Sequence, residues 1–263
     1  MSKILNEIII QNKKIAHTIF SMTVKSDYVS KNAKPGQFVN IKCGDGINAL
    51  LRRPISICRV DMGEGTFNIV YEVRGEGTAF LSQKRTGEQI DFIGPLGNPF
   101  HISERYKKIA VVGGGIGVFP LLFVLQEAMG SIKSAFIGFR SKEYVVLKED
   151  FEKVSEKVLI STDDGSMGYK GFITDMLEKE LELNEYDIIY TCGPMPMMKR
   201  VVSTVNRRNI KCQVSMEQRM GCGIGACLVC ACKTKRGDDW QYSHVCKDGP
   251  VFWSEEIIWE DRI

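Results

Sequence analysis

The chain has 263 residues, 44% hydrophobic and 25% charged, and its 35 Lys+Arg against 32 Asp+Glu leave a net charge of only +3. At roughly 100–200 residues per domain this length predicts about two domains, each able to bury a core, and the composition excludes disordered and collagen-like chains. Basic residues are not concentrated as a nucleic-acid binder requires, apolar runs such as Val118–Leu125 fall short of the ~20 residues of a membrane span, and charges at Lys3 and Glu7 come too early for a secretory signal.

Residues 1–102 read as a β unit. Glu7–Ile10, His17–Lys25, Gln37–Lys42, Pro54–Val60 and Thr66–Arg74 are short β-branched or aromatic runs, separated by clusters such as Lys34-Pro35-Gly36. That rhythm favours a barrel or sandwich. Gly94-Pro95-Leu96-Gly97-Asn98-Pro99 reads as the turn that ends the unit. From 103 to 218 the pattern changes. Lys108–Val112, Ala135–Phe139, Val158–Thr162 and Asp187–Cys192 are apolar strands, and Phe119–Met129, Gly171–Leu181 and Pro194–Arg208 have helical character. Strands alternating with helices predict right-handed βαβ units on a parallel sheet. Residues 219–263 lose helical periodicity and become rich in Gly and Cys. The expected fold class is α+β multi-domain: an antiparallel β-barrel, an α/β parallel-sheet nucleotide domain and a small C-terminal metal-bound lobe.

Nine cysteines are an odd number, and five fall between Cys222 and Cys246. A disulfide framework is usually even and belongs to short secreted chains, so a cytoplasmic, metal-holding segment is expected. Cys222, Cys227, Cys230 and Cys246 give C-x4-C-x2-C-x15-C, whose opening matches the plant-type [2Fe-2S] spacing. Four thiolates must converge on two irons, and Gly221, Gly223 and Gly225 permit the positive φ that turns N–H groups toward sulfur. Structural zinc is the competing reading, although zinc usually takes paired C-x2-C elements and only one such pair stands here. Cys232 fits no ligand spacing. The remaining cysteines read as small buried hydrophobes, and His17, His101 and His244 share no metal spacing.

Leu51-Arg52-Arg53-Pro54-Ile55-Ser56 opens a strand. Arg53 and Ser56 offer a charge-assisted contact and a directed hydroxyl to a pyrophosphate or flavin edge, while the plainer reading of Arg-Pro is an edge-strand feature. Val70-Tyr71-Glu72-Val73-Arg74-Gly75-Glu76-Gly77-Thr78 adds a planar aromatic and a Gly-x-Gly-Thr turn at a helix start. Gly113, Gly115 and Gly117 lie in a strand–loop–helix context suited to phosphate, although Val118 replaces the third glycine of the dinucleotide fingerprint. Asp164 closes the third strand of this unit, where a carboxylate can bind ribose hydroxyls and repel a 2′-phosphate, tilting the choice to NAD over NADP; a turn Asp is the plainer reading. The Cys192 thiol ends another strand, placed to sit beside a nicotinamide ring or simply buried.

In this order, LRRPIS, YEVRGEGT, GPLGNPF, VVGGGIGVFPL, TDDGSMGYKG, CGPMPMMK, SMEQRMGCGIGACLVCACK and VCKDGPVF make nearly the whole chain resemble the electron-transfer subunits of type B dihydroorotate dehydrogenase, in the ferredoxin–NADP reductase-like superfamily. The resemblance implies an FAD-binding barrel, an NAD-binding domain and a [2Fe-2S] lobe. It also implies an FMN-containing catalytic partner, in a two-plus-two heterotetramer serving pyrimidine biosynthesis. Carried across, Arg53, Pro54, Ile55, Ser56, Val70, Tyr71, Glu72, Gly77 and Thr78 would contact FAD, and Cys222, Cys227, Cys230 and Cys246 would hold the cluster. Glu72 departs from relatives that carry Arg; main-chain contact would survive that change, and side-chain contact to phosphate would not. A related flavin/[2Fe-2S] subunit of a ferredoxin, sulfide or hydrogenase-type NAD(P)H oxidoreductase is the alternative. A flavin-free zinc adaptor is a second.

Overall fold

The computed structural model describes residues 2–44 and 50–259; of the expected C-terminal lobe, 260–263 lie outside the described residues. The first part of the chain forms β1 (Lys3–Lys14), β2 (Ile19–Lys25), α1 (Asp27–Asn32), β3 (Phe38–Ile41), β4 (Arg53–Asp61), β5 (Thr66–Glu72), α2 (Glu76–Gln83) and β6 (Gln89–Leu96). The six strands close as an antiparallel barrel in the order β1-β2-β5-β4-β3-β6, which leaves no free sheet edge. β1 is longer than the sequence suggests because it serves two neighbours. Lys3–Ile8 pair with β6 and Ile8–Lys14 with β2, with a register shift between Ile9 and Gln11. Inward alternation of Met22, Val24, Val39, Ile41, Ile57 and Phe92 fills the barrel.

The Gly94-Pro95 segment corrects the expectation of a terminal turn, for it lies inside β6. β3 and β6 shift register between Phe38 and Asn40, opposite this dipeptide. A proline is tolerated where an irregular ladder does not require its missing N–H. At Gly94 a Cβ would come within 2.7 Å of Val39 Cγ1, so a bare backbone is needed where the strands cross.

The second unit contains β7 (Lys108–Gly114), α3 (Phe119–Glu127), β8 (Ile132–Phe139), α4 (Lys148–Val154), β9 (Lys157–Thr162), β10 (Tyr169–Lys170), α5 (Ile173–Leu183), β11 (Ile188–Cys192), α6 (Met195–Asn206) and β12 (Lys211–Ser215). α5 buries Ile173, Thr174, Leu177, Glu180 and Leu181, the stripe of a helix lying on a sheet. α3 instead buries every residue from Phe119 to Leu125. Phe123 packs into the barrel core while Val124 packs with the sheet, so this helix cements the two units. The sheet order is β10-β9-β8-β7-β11-β12 with all these strands parallel. Its order reverses between β7 and β11, and ligands of open α/β sheets bind in the crevice at such a point.

The last part of the chain holds the cysteine loop, the hairpin β13 (Ala231–Arg236) and β14 (Asp239–His244), and β15 (Val251–Trp253). β15 runs antiparallel to β12 on the nucleotide sheet, with Val214 opposite Phe252. The stretch from 219 therefore spans both the lobe and that sheet. Burial of Phe252 beside Val214 drives the return. Asn98 secures it, donating Nδ2 to the Asp248 carbonyl at 2.7 Å. Among the described residues no helix is long and apolar enough to cross a membrane.

Candidate functional site

A cleft of about 510 Å³ opens at the switch point between β7 and β11, walled on its other side by the barrel. The barrel contributes Arg53, Pro54, Ile55 and Ser56 from the start of β4, Val70, Tyr71 and Glu72 from the end of β5, and Thr78. The sheet contributes Gly115, Gly117 and Cys192. These residues are far apart in sequence and the fold gathers them along one surface.

Three expected residues stand elsewhere. Gly77 does not face the cleft; a Cβ there would meet Arg53 Nε at 2.9 Å, so its role is to let the Arg53 side chain lie across the start of α2. Gly113 is buried in β7 against Leu121 and Val118. Asp164 lies two strands away at the end of β9, where its Oδ1 accepts from Ser166 N at 2.9 Å and Ser166 Oγ at 2.6 Å. Those bonds, the hydroxyl's first, hold its carboxyl below the usual range. It organises a turn, the plainer of the two sequence readings.

Tyr71 does not present its ring. It is 2% exposed, stacked on Phe20, and its hydroxyl donates to Asn12 Oδ1 at 3.1 Å. The ring therefore packs in the barrel core and is turned away from the cleft by its partners Phe20 and Asn12. The Glu72 carboxylate accepts from Arg74 Nε and, at 3.4 Å, from Thr18 Oγ1. Arg74 thus neutralises the acidic departure at this position and brings a second guanidinium to the cleft. Thr78 Oγ1 accepts from Arg74 N at 2.9 Å and donates to the Gly75 carbonyl at 3.1 Å, which locks the entry to α2.

The opposite wall is built from two glycine loops in backbone contact. A Cβ on Gly117 would lie 2.4 Å from the Cys192 carbonyl oxygen, and one on Gly193 would lie 2.9 Å from Gly114 N. Gly114 and Gly193 lie in the two segments read as a glycine loop and a strand end, but neither was among the expected site residues. The Cys192 thiol is buried, with Ser215 as its hydrogen-bond partner. Burial pushes it up to about 12, so it stays protonated at neutral pH. Glu217 and Met220, also unforeseen, close the floor.

The cysteine loop is folded around its own sulfurs. Cys222 Sγ accepts from the N–H groups of Ile224 at 3.4 Å, Ala226 at 3.2 Å and Cys227 at 3.4 Å, while Cys222 N donates to Cys227 Sγ at 3.3 Å. Cys246 N donates to Cys230 Sγ at 3.4 Å, and Gly225 N to Cys246 Sγ at 3.1 Å. Gly223 and Gly225 have positive φ as expected; Gly221 does not, and instead leaves room for Cys227 Sγ, which a Cβ would meet at 3.0 Å. Burial alone would raise the Cys222 thiol, but the N–H donors, Ile224's first, outweigh it and bring it down to about 6. Burial, then the adjacent Cys230, pushes Cys246 up to about 12.

Backbone N–H···S bonds join Cys222 to Cys227 and Cys230 to Cys246. Two thiolates on each of two irons is what a [2Fe-2S] group takes, and a tetrahedral zinc ion needs all four on one centre. Cys232 packs in β13 at 9% exposure, and burial pushes its thiol up to about 11. The imidazole of His244 faces Asp248.

Residues 217–258 match the family described as the iron-sulfur cluster binding domain of dihydroorotate dehydrogenase B, and 111–203 match the oxidoreductase NAD-binding domain. The chain is 42% identical over 253 residues to the dihydroorotate dehydrogenase B (NAD(+)) electron transfer subunit of Fusobacterium nucleatum, covering 94% of this chain and 95% of that one. It is 40% identical over 250 residues to the subunit of the same name from Caldanaerobacter subterraneus subsp. tengcongensis, covering 95% and 96%. Among solved structures it is similar to a chain of the NADH-dependent reduced ferredoxin–NADP oxidoreductase, a flavin-based bifurcating system. That match has a TM-score of 0.85 and 33% identity, and covers 96% of this chain and 90% of the other.

Proposed function

Because the chain belongs to the family of dihydroorotate dehydrogenase B electron transfer subunits, we propose that its cleft and its cysteine loop are the two stations of one electron path, from a dihydroorotate-oxidising partner to NAD+. The observation that carries this reading is a cleft at the topological switch point together with four cysteines joined to one another through N–H···S bonds, Phe38 belonging both to the cleft and to the core that holds Cys230 and Cys246. When bound, FAD supplies the exchange between single electrons, which are all an iron–sulfur group can carry, and the hydride that NAD+ takes.

The chain's own residues bind, orient and exclude water. Arg53 and Arg74 bring positive charge to the barrel side of the cleft, where the FAD pyrophosphate would be met by charge-assisted bonds, with Ser56 adding a hydroxyl. Pro54, Ile55, Val70 and the main chain of Tyr71 and Glu72 give a flat, largely apolar wall for the flavin ring. Gly115, Gly117 and Cys192 leave space on the facing wall for the nicotinamide. NAD rather than NADP rests on the family alone, since Asp164 is tied into its own turn by Ser166. On the loop, Cys222 and Cys227 would hold one iron and Cys230 and Cys246 the other. No side chain here is assigned to proton chemistry on dihydroorotate, which belongs to the partner.

A partner carrying FMN, two copies of each chain in the assembly, and a cytoplasmic setting complete the reading. The odd number of cysteines, five of them crowded between Cys222 and Cys246, supports a reducing compartment. Ile224, Leu228 and Val229, 52–60% exposed around the cysteines, support docking of the partner there. The test is co-expression with an FMN-containing dihydroorotate dehydrogenase subunit. Dihydroorotate-dependent NADH formation by a complex of two plus two chains is expected, with little from this chain alone. Robust turnover without a partner, or a partner pool that excludes the FMN protein, would overturn it. The second reading, a subunit of another NAD(P)H oxidoreductase such as a ferredoxin-linked one, is favoured by the TM-score of 0.85 and predicts ferredoxin as the partner recovered.

A further inference from the structure

β3 carries Phe38 and Asn40 on one face, two residues apart. Phe38 lines the cleft and also packs in the core that contains Cys230 and Cys246. Asn40 is fully buried and donates Nδ2 to the Cys222 carbonyl at 3.0 Å. In the β3–β4 ladder Asn40 stands opposite Pro54, and Phe38 opposite Ser56. The side chain thus lies one strand from the cleft wall and one hydrogen bond from the cysteine loop.

Two features show that the contact is specific. Gly223 has φ +75°, and a Cβ on it would approach Asn40 Nδ2 to 2.4 Å, so the loop reaches this residue only as bare backbone. The carboxamide orientation is set, because reversing it would face two oxygens. Its Oδ1 is then buried without a partner among the described residues. An unpaired buried acceptor is destabilising, and an apolar side chain of the same size would avoid it. What the amide adds is the N–H to Cys222.

That bond fixes the first peptide of the run whose later N–H groups, from Ile224, Ala226 and Cys227, point at Cys222 Sγ. Hydrogen bonds to ligand sulfur tune the potential of an iron–sulfur group. We propose that Asn40 is a positioning residue that holds the Cys222 peptide, and through it sets the reduction potential of the cluster relative to the flavin. This rests on the functional reading above. The step affected moves one electron from the cluster to the flavin, with no bond formed or broken between them.

The test uses the full chain as Asn40→Asp and Asn40→Leu, both close in volume and both lacking the N–H. Iron, sulfide and FAD are quantified, and the cluster is titrated by electron paramagnetic resonance at fixed potentials. With iron and FAD contents kept, the electron partition between cluster and flavin should shift toward the flavin about tenfold, 59 mV for one electron. Asn40→Asp, which adds negative charge, should shift it further. Partition within twofold of wild type in both variants would overturn the inference. So would loss of iron from both, which would make Asn40 a structural anchor alone. Wild-type chain without iron or FAD would overturn the functional reading, and this inference with it.

Discussion

Gly117→Ala isolates the contact between the two glycine loops. Gly117 is not at positive φ, so the substitution carries no backbone penalty of its own. The added Cβ would lie 2.4 Å from the Cys192 carbonyl oxygen and 2.5 Å from Gly193 Cα, against the 3.4 Å at which ordinary contact begins. Both obstacles are backbone, which cannot rotate aside, so the loops must part by about 1 Å at the base of the expected nicotinamide site. A misplacement of about 1 Å costs on the order of 100-fold in a positioned reaction, or about 2.7 kcal/mol. Stopped-flow reduction of the flavin by NADH should therefore slow about 100-fold at saturation, with FAD and iron contents unchanged because the barrel wall and cysteine loop are untouched. Gly115→Ala is the comparison: φ is +56° and nothing lies within 4 Å, so it costs about 1–2 kcal/mol of loop stability without parting the loops, and the rate should fall less. A Gly117→Ala rate within threefold of wild type would refute the placement of this contact at the site.

Cys222→Ser should stop electron flow from the partner while NADH-driven reduction of an artificial acceptor persists, measured as two partial reactions; equal loss of both would contradict the division of labour between loop and cleft. In cluster-free chain, Cys222 should be alkylated first, with a rate that rises through pH 6 as the thiolate forms, while Cys192 and Cys212, both pushed up to about 12 by burial, resist at neutral pH. Since the folded value of Cys222 lies below its ordinary one, the stability it lends the cluster-free chain is full above the ordinary value of 9.0 and is lost as pH falls toward 6. Asn12→Ala should cost about 1–3 kcal/mol in urea unfolding, because it strands the buried Tyr71 hydroxyl; the same residue also donates to the Leu81 and Lys84 carbonyls at 2.9 Å. An unchanged midpoint would show that water replaces all three bonds.

The elements legible in the sequence were those with long one-type patterns. Apolar runs such as Lys108–Val112 and the helical stretch Pro194–Arg208 appear as β7 and α6. β6 was hidden because Gly94-Pro95 carries a turn signature that only the bulge opposite it explains. β15 was hidden because three residues after a proline have no periodicity, and only burial on β12 makes them a strand. The cysteine loop was legible because ligand spacing is local: a few residues must wrap one cluster. The cleft was less so, because it is assembled from the ends of β4, β5, β7 and β11. Arg53 and Ser56 lie on its surface, but alternation along β5 sends the Tyr71 ring inward, and Ser166 ties Asp164 into a turn. Asn40 had no signal at all, since its partner is 182 positions away.

The most direct test is an anaerobic purification of this chain, with iron, sulfide and flavin counted per chain and a visible spectrum taken before and after NADH. About one FAD and two irons per chain, bleached by NADH, is the predicted result. A colourless protein carrying a single zinc would contradict the electron path, and with it the assignment of the four cysteines to a binuclear site.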